Sequence, residues 1–259
     1  MPNIDRLKEI LGNKPSQTPI NRKTYCSPAT ARQSELSTVF SLDDEPHRPS
    51  DRLFDVALGA GQAAREITLE CLRPRVQESG ETNFLADVWP GEHYRLLAAI
   101  TQVVKPALVV EIGTGRGLSA LSILEKLPLG SRLVTYDIVP WTALPGSFLR
   151  ESDFSAERFE QRAVDLSDRD SCFGERDLLK SADLIFIDAA KDGEQECRFM
   201  EDLAEVPFDR PPLVIMDDIR VWTMLRAWRE LAFPKLDLTS FGHWSGTGLV
   251  DFQCRKAFQ

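Results

Sequence analysis

The side chains with chemical reach in this chain are mostly acids, and they recur where apolar runs end. Val109-Val110-Glu111-Ile112 passes directly into Gly113-Thr114-Gly115-Arg116-Gly117-Leu118-Ser119, an apolar strand that carries an acid and turns on G-x-G-x-G. A glycine-rich turn lets backbone approach a ligand, and the helix start behind it offers free N–H groups to a negative group. A nicotinamide dinucleotide needs a glycine where Leu118 stands, which argues against G-x-G-x-x-G. Glu111 repels pyrophosphate but suits a cofactor carrying an amino group and a sulfonium. Asp137 ends the next apolar run, where a carboxylate can accept both hydroxyls of a ribose, and Ile138 lies beside it. Asp165 closes the third run, in place to meet an adenine amino group, and Ser119 adds a hydroxyl near the helix start. The cofactor set read from these positions is Glu111, Gly113, Thr114, Gly115, Gly117, Ser119, Asp137, Ile138 and Asp165, joined by Asp188.

A second group of acids closes the fourth and fifth runs. Neighbouring parallel strands bring their carboxyl ends together at the crevice where open α/β sheets bind ligands. Asp188, Asp217 and Asp218 therefore converge there in this reading, and three carboxylates completed by water and substrate oxygens suit a hard cation, Mg²⁺ first. An alternative has Asp218 capping a helix that begins near Ile219. His93 and His243 are the remaining acid–base candidates, with His243 expected at the mouth of the pocket. Trp89, Trp141 and Trp244 are read either as walls for an aromatic acceptor or as packing.

These residues need strands and helices in alternation to position them. Apolar runs give strands at Leu108–Ile112, Arg132–Asp137, Gln161–Asp165, Asp183–Asp188 and Leu213–Asp217. Helical spacing places helices over Glu92–Val104, Gly117–Leu127, Gly193–Val206 and Ile219–Ala232, which implies a parallel sheet covered on both faces. Leu236–Phe241 and Leu249–Gln253 are too close for a parallel crossover and must pair antiparallel. Between Asp51 and Arg73 the helical pattern is interrupted by Gly59-Ala60-Gly61 and predicts a broken helix or a helix pair, ended by Pro74. The stretch from Trp141 to Phe159, broken by Pro145 and Gly146, predicts an irregular loop with a short helix. Residues 1–50 read as a loosely ordered arm, 51–90 as a helical accessory or lid segment, and 91–259 as the catalytic domain.

The chain has 259 residues, with 31 basic against 40 acidic and a net charge of −9, which disfavours nucleic acid and anionic membranes as partners. Its 5 cysteines are scattered without metal-ligand spacing and read as reduced thiols. No signal-like start and no long apolar window is present, so a cytoplasmic protein is expected.

From about Gly91 to Phe252 the chain resembles the class I S-adenosylmethionine-dependent methyltransferases, and more narrowly the catechol and caffeoyl-CoA type O-methyltransferases. The likeness rests on Gly91-Glu92-His93, the Glu111–Ser119 run, Thr135-Tyr136-Asp137, Phe186-Ile187-Asp188-Ala189-Ala190-Lys191-Asp192, Ile215-Met216-Asp217-Asp218 and Gly246-Thr247-Gly248-Leu249, in that family's order. It implies an α/β, Rossmann-like seven-stranded sheet of order 3-2-1-4-5-7-6 with the last strand antiparallel. It also implies S-adenosylmethionine as cofactor, Mg²⁺ on Asp188, Asp217 and Asp218, and Lys191 with Asp188 as the catalytic pair. Lys191 matches the family's general-base lysine, and near a bound cation in a partly dry pocket its pKa is expected to be lowered; the alternative is a solvated loop lysine. Asp217-Asp218 departs from the family's usual Asp-Asn and is similar to the macrocin-type sugar O-methyltransferases, so the small-molecule acceptor need not be a catechol. A metal-independent methyltransferase and a non-catalytic cofactor-binding module stay open, and a homodimer is expected by analogy.

Overall fold

The computed structural model describes residues 48–80, 93–155, 157–221, 223–241 and 243–252. The expected arm up to residue 47 and Gly91, Glu92 and Trp89 lie outside the described residues. The chain divides into Met1–Asp44 and Glu45–Gln259, and everything below concerns the second unit.

Ser50 opens helix α1 (Asp51–Ala63) by accepting the Leu53 amide on its side chain. The break expected at Gly59-Ala60-Gly61 does not occur, because these glycines serve packing. A Cβ on Gly61 would lie 2.8 Å from the Phe241 ring, so the residue allows close approach rather than interrupting the helix. Pro74 likewise opens the short helix α2 (Arg73–Glu78), in the first turn where proline is tolerated, instead of ending a preceding one. Helix α3 (His93–Val104) stops before Pro106. Strand β1 (Leu108–Ile112) follows, then α4 (Leu118–Lys126), β2 (Arg132–Tyr136) and β3 (Phe159–Arg162). Two short 3₁₀ helices, Trp141–Ala143 and Glu151–Phe154, fill the irregular stretch before β3. Helices α5 (Arg169–Gly174) and α6 (Arg176–Leu179) lead to β4 (Leu184–Ile187). Helix α7 (Glu194–Ala204), β5 (Leu213–Asp217), α8 (Met224–Glu230), β6 (Lys235–Asp237) and β7 (Thr247–Asp251) complete the unit.

The seven strands lie in the order β3-β2-β1-β4-β5-β7-β6. All neighbours from β3 to β5 are parallel, and β7 inserts antiparallel between β5 and β6, as the sequence implies. Alternate strand residues feed two cores. Val109, Leu133, Phe186 and Ile215 pack with α1 and α3 on one face, while Val110, Val134, Ile185 and Val214 pack with α7 and α8 on the other. Residues of the 51–80 stretch, Leu53, Ala60 and Leu72 among them, are thus part of the same core as the sheet.

Two boundaries shift. β3 ends at Arg162, so Asp165 falls beyond the strand rather than closing it. The helix expected from Ile219 begins only at Met224, because the amides of Ile219 and Arg220 are taken by the carbonyls of Gly246 (3.3 Å) and Ser245 (2.9 Å). At the far end of α8 the buried ammonium of Lys235 is aimed at the carbonyls of Trp228, Arg229 and Leu231, meeting acceptors that a helix C-terminus leaves free.

Candidate functional site

The carboxyl edge of β1, β4 and β5 carries the candidate site. Gly113 follows β1 with φ +99°, and a Cβ there would fall 2.0 Å from the carbonyl oxygen of Asp188. Only glycine permits the loop to cross the end of β4 at that distance. The crossing is held by Gly113 N to Tyr136 O and Asp188 N to Ile112 O, both 2.8 Å. Beyond it, the space where a side chain of Gly115 would project meets no protein atom within 4 Å.

Glu111 is fully buried, and neither of its carboxylate oxygens has a partner in hydrogen-bonding geometry. Burial pushes its pKa up to about 8, tempered by the Ser119 and Thr135 hydroxyls. An unsatisfied buried carboxylate beside a glycine loop fits a ligand's amino group, which supplies the missing donors and charge. Asp137 sends Oδ2 to the amide of Gly115 (3.0 Å) and Oδ1 to the amide of Val139 (2.9 Å), so it fixes the loop's curvature. Thr114 is turned inward: its hydroxyl is 2.8 Å from that of Thr135 and accepts from Gln161 Nε2 at 3.0 Å. Ile138 is exposed. Asp165, also exposed, accepts the amide and hydroxyl of Ser167 in its own turn. The structure therefore gathers Glu111, Ser119 and the glycines, assigns Asp137 and Thr114 to bracing them, and leaves Asp165 engaged locally.

The acidic triplet does converge. Asp188, Asp217 and Asp218 each place a carboxylate oxygen within 4.8 Å of the others. Lys191 sits among them, its Nζ 3.0 Å from Asp188 Oδ1, 3.3 Å from Asp217 Oδ2 and in contact with Asp218 Oδ2. The expected lowering of its pKa belongs to a lysine beside a bound cation; with the carboxylates alone the balance runs the other way. Burial opposes the charge, but Asp188, Asp217 and Asp218 together outweigh it and hold the ammonium well above the usual lysine range. Asp188 moves upward through burial and the neighbouring Asp217, whereas Asp217 is driven well down, burial being overcome by His93, His243 and Lys191. Asp218 is not a cap of the following helix; it takes φ +56° in the turn before it. Three convergent carboxylates are a donor set for a hard cation, and an ammonium standing between them shows that the cluster accepts positive charge.

His93 and His243 are separate acid–base candidates in the sequence, one in the helix after Glu92 and one in the last loop, but both reach Asp217. His243 is buried, not at a pocket mouth, with Nδ1 3.1 Å from Asp217 Oδ1 and 2.9 Å from the Thr247 hydroxyl. Antiparallel pairing of Asp217 with Thr247 folds the 243–246 loop over the carboxylate. His93, in the first turn of α3, places Nδ1 3.4 Å from the same oxygen, and burial lowers its pKa to about 4. Glu196 was missed altogether. It is buried and accepts the amides of Lys191 (2.7 Å) and Gly193 (2.9 Å), anchoring the lysine loop to the start of α7. Its signal was a glutamate at the third helical position, where a carboxylate reaches back to free amides.

A cleft of about 340 Å³ lies at the sheet edge between Pro140, Trp141, Phe154, Phe159 and Gln161. It adjoins the loop after Ile138 and does not include the acidic triplet. Trp141 stacks on Phe154 there, and Trp244 is exposed.

No protein-family profile and no curated protein matches the sequence. Among solved structures, an assigned O-methyltransferase from Klebsiella pneumoniae aligns with a TM-score of 0.50 and 18% identity, covering 72% of this chain and 90% of that one. The Bacillus cereus O-methyltransferase in complex with SAH aligns at 0.49 and 18% identity, covering 70% and 91%. A methyltransferase of Podospora anserina bound to SAH aligns at 0.48 and 15% identity, covering 85% and 100%. The first of these shares this chain's Rossmann-like α/β fold.

Proposed function

We propose that this chain is an S-adenosylmethionine-dependent O-methyltransferase acting on a small-molecule hydroxyl, with a divalent cation of the Mg²⁺ type held by Asp188, Asp217 and Asp218. The observation that carries the reading is the crossing of Gly113 over the Asp188 carbonyl. It supports the reading by bringing the unsatisfied Glu111 carboxyl and the acidic cluster to one sheet edge, where a methyl donor and an acceptor would meet. Glu111 would receive the cofactor's ammonium, the amides after Gly115 its carboxylate, and Asp137 would keep the loop open to the ribose. Ile138 offers an apolar surface beside it, and Asp165 serves the adenine end only if its turn opens.

A bound cation supplies charge that lowers the pKa of an acceptor hydroxyl and orients it. The side chains do the rest. Asp188 and Asp218 orient the acceptor oxygen, and Asp217 anchors the cluster through its ties to the histidines. With a cation on the carboxylates, the half-buried Lys191 ammonium would lose its proton to solvent, and the neutral amine would then accept the hydroxyl proton. A bound S-adenosylmethionine would supply the methyl group and leave as S-adenosylhomocysteine, and these side chains would hold donor and acceptor in line.

Calorimetric titration of S-adenosylhomocysteine, with and without Mg²⁺, tests the reading on wild type and on Asp217→Ala. Binding by both proteins, strengthened by Mg²⁺ in wild type alone, is expected. Absence of binding by wild type sinks the cofactor assignment. Binding that ignores Mg²⁺ removes the cation and leaves the metal-independent methyltransferase. A methyl-transfer screen over catechols, phenols and sugars then identifies the acceptor class.

A further inference from the structure

We propose that His93, His243 and Asp217 form a second cation site, for a divalent transition ion of the zinc class, on the Asp217 oxygen that faces away from Lys191. The two oxygens of Asp217 look in different directions. Oδ2 meets the Lys191 ammonium at 3.3 Å, and that ammonium already serves the acidic triplet. Oδ1 is buried, within ion-pair distance of both imidazoles and in hydrogen-bonding geometry with neither. His93 Nδ1, on a residue 4% exposed, is also buried without a partner. Two unsatisfied buried polar atoms this close together are costly unless something sits between them.

The spacing also matches that of ligands around a metal ion. Bonds of about 2.05 Å arranged tetrahedrally put neighbouring donors about 3.3 Å apart. Asp217 Oδ1 lies 3.1 Å from His243 Nδ1 and 3.4 Å from His93 Nδ1, and the three donors fall within 4.8 Å of one another. The rings stand 4.4 Å apart, tilted by 45°, so they converge without stacking flat. Nε2 of His243 meets the Ser245 hydroxyl at 2.8 Å. A hydrogen bond on the far nitrogen is what fixes the tautomer of a metal-bound imidazole: with the Ser245 hydroxyl accepting from Nε2–H, the Nδ1 lone pair is the one left for an ion. The Thr247 hydroxyl, 2.9 Å from Nδ1, holds that lone pair until an ion takes it. Two imidazoles and one carboxylate select zinc, cobalt and their neighbours over magnesium, and three protein ligands leave a fourth position open.

The site does not depend on the methyl-transfer reading, although it shares Asp217 with it. Chelator-stripped protein titrated with Co²⁺ tests it directly. One equivalent should give the intense visible d–d absorption of a four-coordinate ion, together with hyperfine-shifted imidazole proton resonances in wild type. His93→Gln and His243→Gln should each weaken Co²⁺ binding by more than about tenfold, while Asp218→Asn leaves the spectrum in place. No Co²⁺ uptake by wild type, or uptake weakened by Asp218→Asn and indifferent to both histidine variants, overturns the site. The wild-type resonances report ligation even if a variant fails to fold. S-adenosylhomocysteine affinity on the same samples reads the cofactor assignment separately, so the two failures are told apart.

Discussion

The loop after β1 and the acidic cluster after β4 and β5 share one sheet edge yet solve opposite problems. Around the loop, polar side chains are spent on one another and on backbone: Asp137 holds Gly115 and Val139, and Thr114 holds Thr135 and Gln161. The one group left over is Glu111, buried and unsatisfied. In the acidic cluster the negative charges are already answered by Lys191. The first region is a preformed socket with one charge missing, and the second is closed by its own cation. A ligand should therefore enter the loop with little rearrangement, whereas a metal ion must first move a lysine.

Four changes break or sharpen that contrast. Gly113→Ala should be the most damaging, because its Cβ must push the Asp188 carbonyl aside from 2.0 Å. A loss of more than about 3 kcal/mol in denaturant midpoint analysis, with cofactor binding abolished, is expected. Lys191→Met strips the acidic cluster of its counter-ion. Stability should fall by about 2–3 kcal/mol, less than for a fully buried pair, and Mg²⁺ should restore it, read as a rise in melting temperature larger than in wild type.

Glu111→Gln probes the socket through pH. In the folded protein this carboxyl ionises near pH 8 rather than 4.5, so its contribution to stability is complete below about pH 4.5 and is lost as pH rises through about 8. Ligand-free wild type should lose stability across that window. The glutamine variant should show a flatter profile and bind S-adenosylhomocysteine more weakly, by about tenfold. Asp137→Asn is the mildest change, since one oxygen remains to accept an amide. A loss of about 1 kcal/mol in thermal melts and a small drop in cofactor affinity are expected; a drop as large as that of Glu111→Gln would move the cofactor's main anchor to β2.

The sheet was legible because its central strands are continuous apolar runs, such as Leu184-Ile185-Phe186-Ile187, buried on both faces. The edge strand was not. Phe159-Glu160-Gln161-Arg162 is only partly buried, and without an apolar run its frame slid toward Asp165. Gly59 and Gly61 misled for a different reason: local propensity marks them as breaks, while the side chains packed on them, Val103 on Gly59 and the Phe241 ring on Gly61, decide their use. The start of α8 depended on carbonyls from a loop some twenty-five residues downstream, which periodicity cannot see. Acids at strand ends announced the triplet. The convergence of His93 and His243 on Asp217 joins residues 150 positions apart, and no spacing rule connects them.

The grip of Glu196 on the amides of Lys191 and Gly193 means the lysine backbone is pinned while its ammonium swings on a short leash. Such an arm behaves as an intramolecular competitor whose effective concentration is on the order of millimolar or above. A dissolved cation displaces it by binding the carboxylates more tightly than the ammonium does, so the tether weakens the cluster's apparent affinity in proportion. Mg²⁺ should then bind the acidic cluster more tightly in Lys191→Met than in wild type.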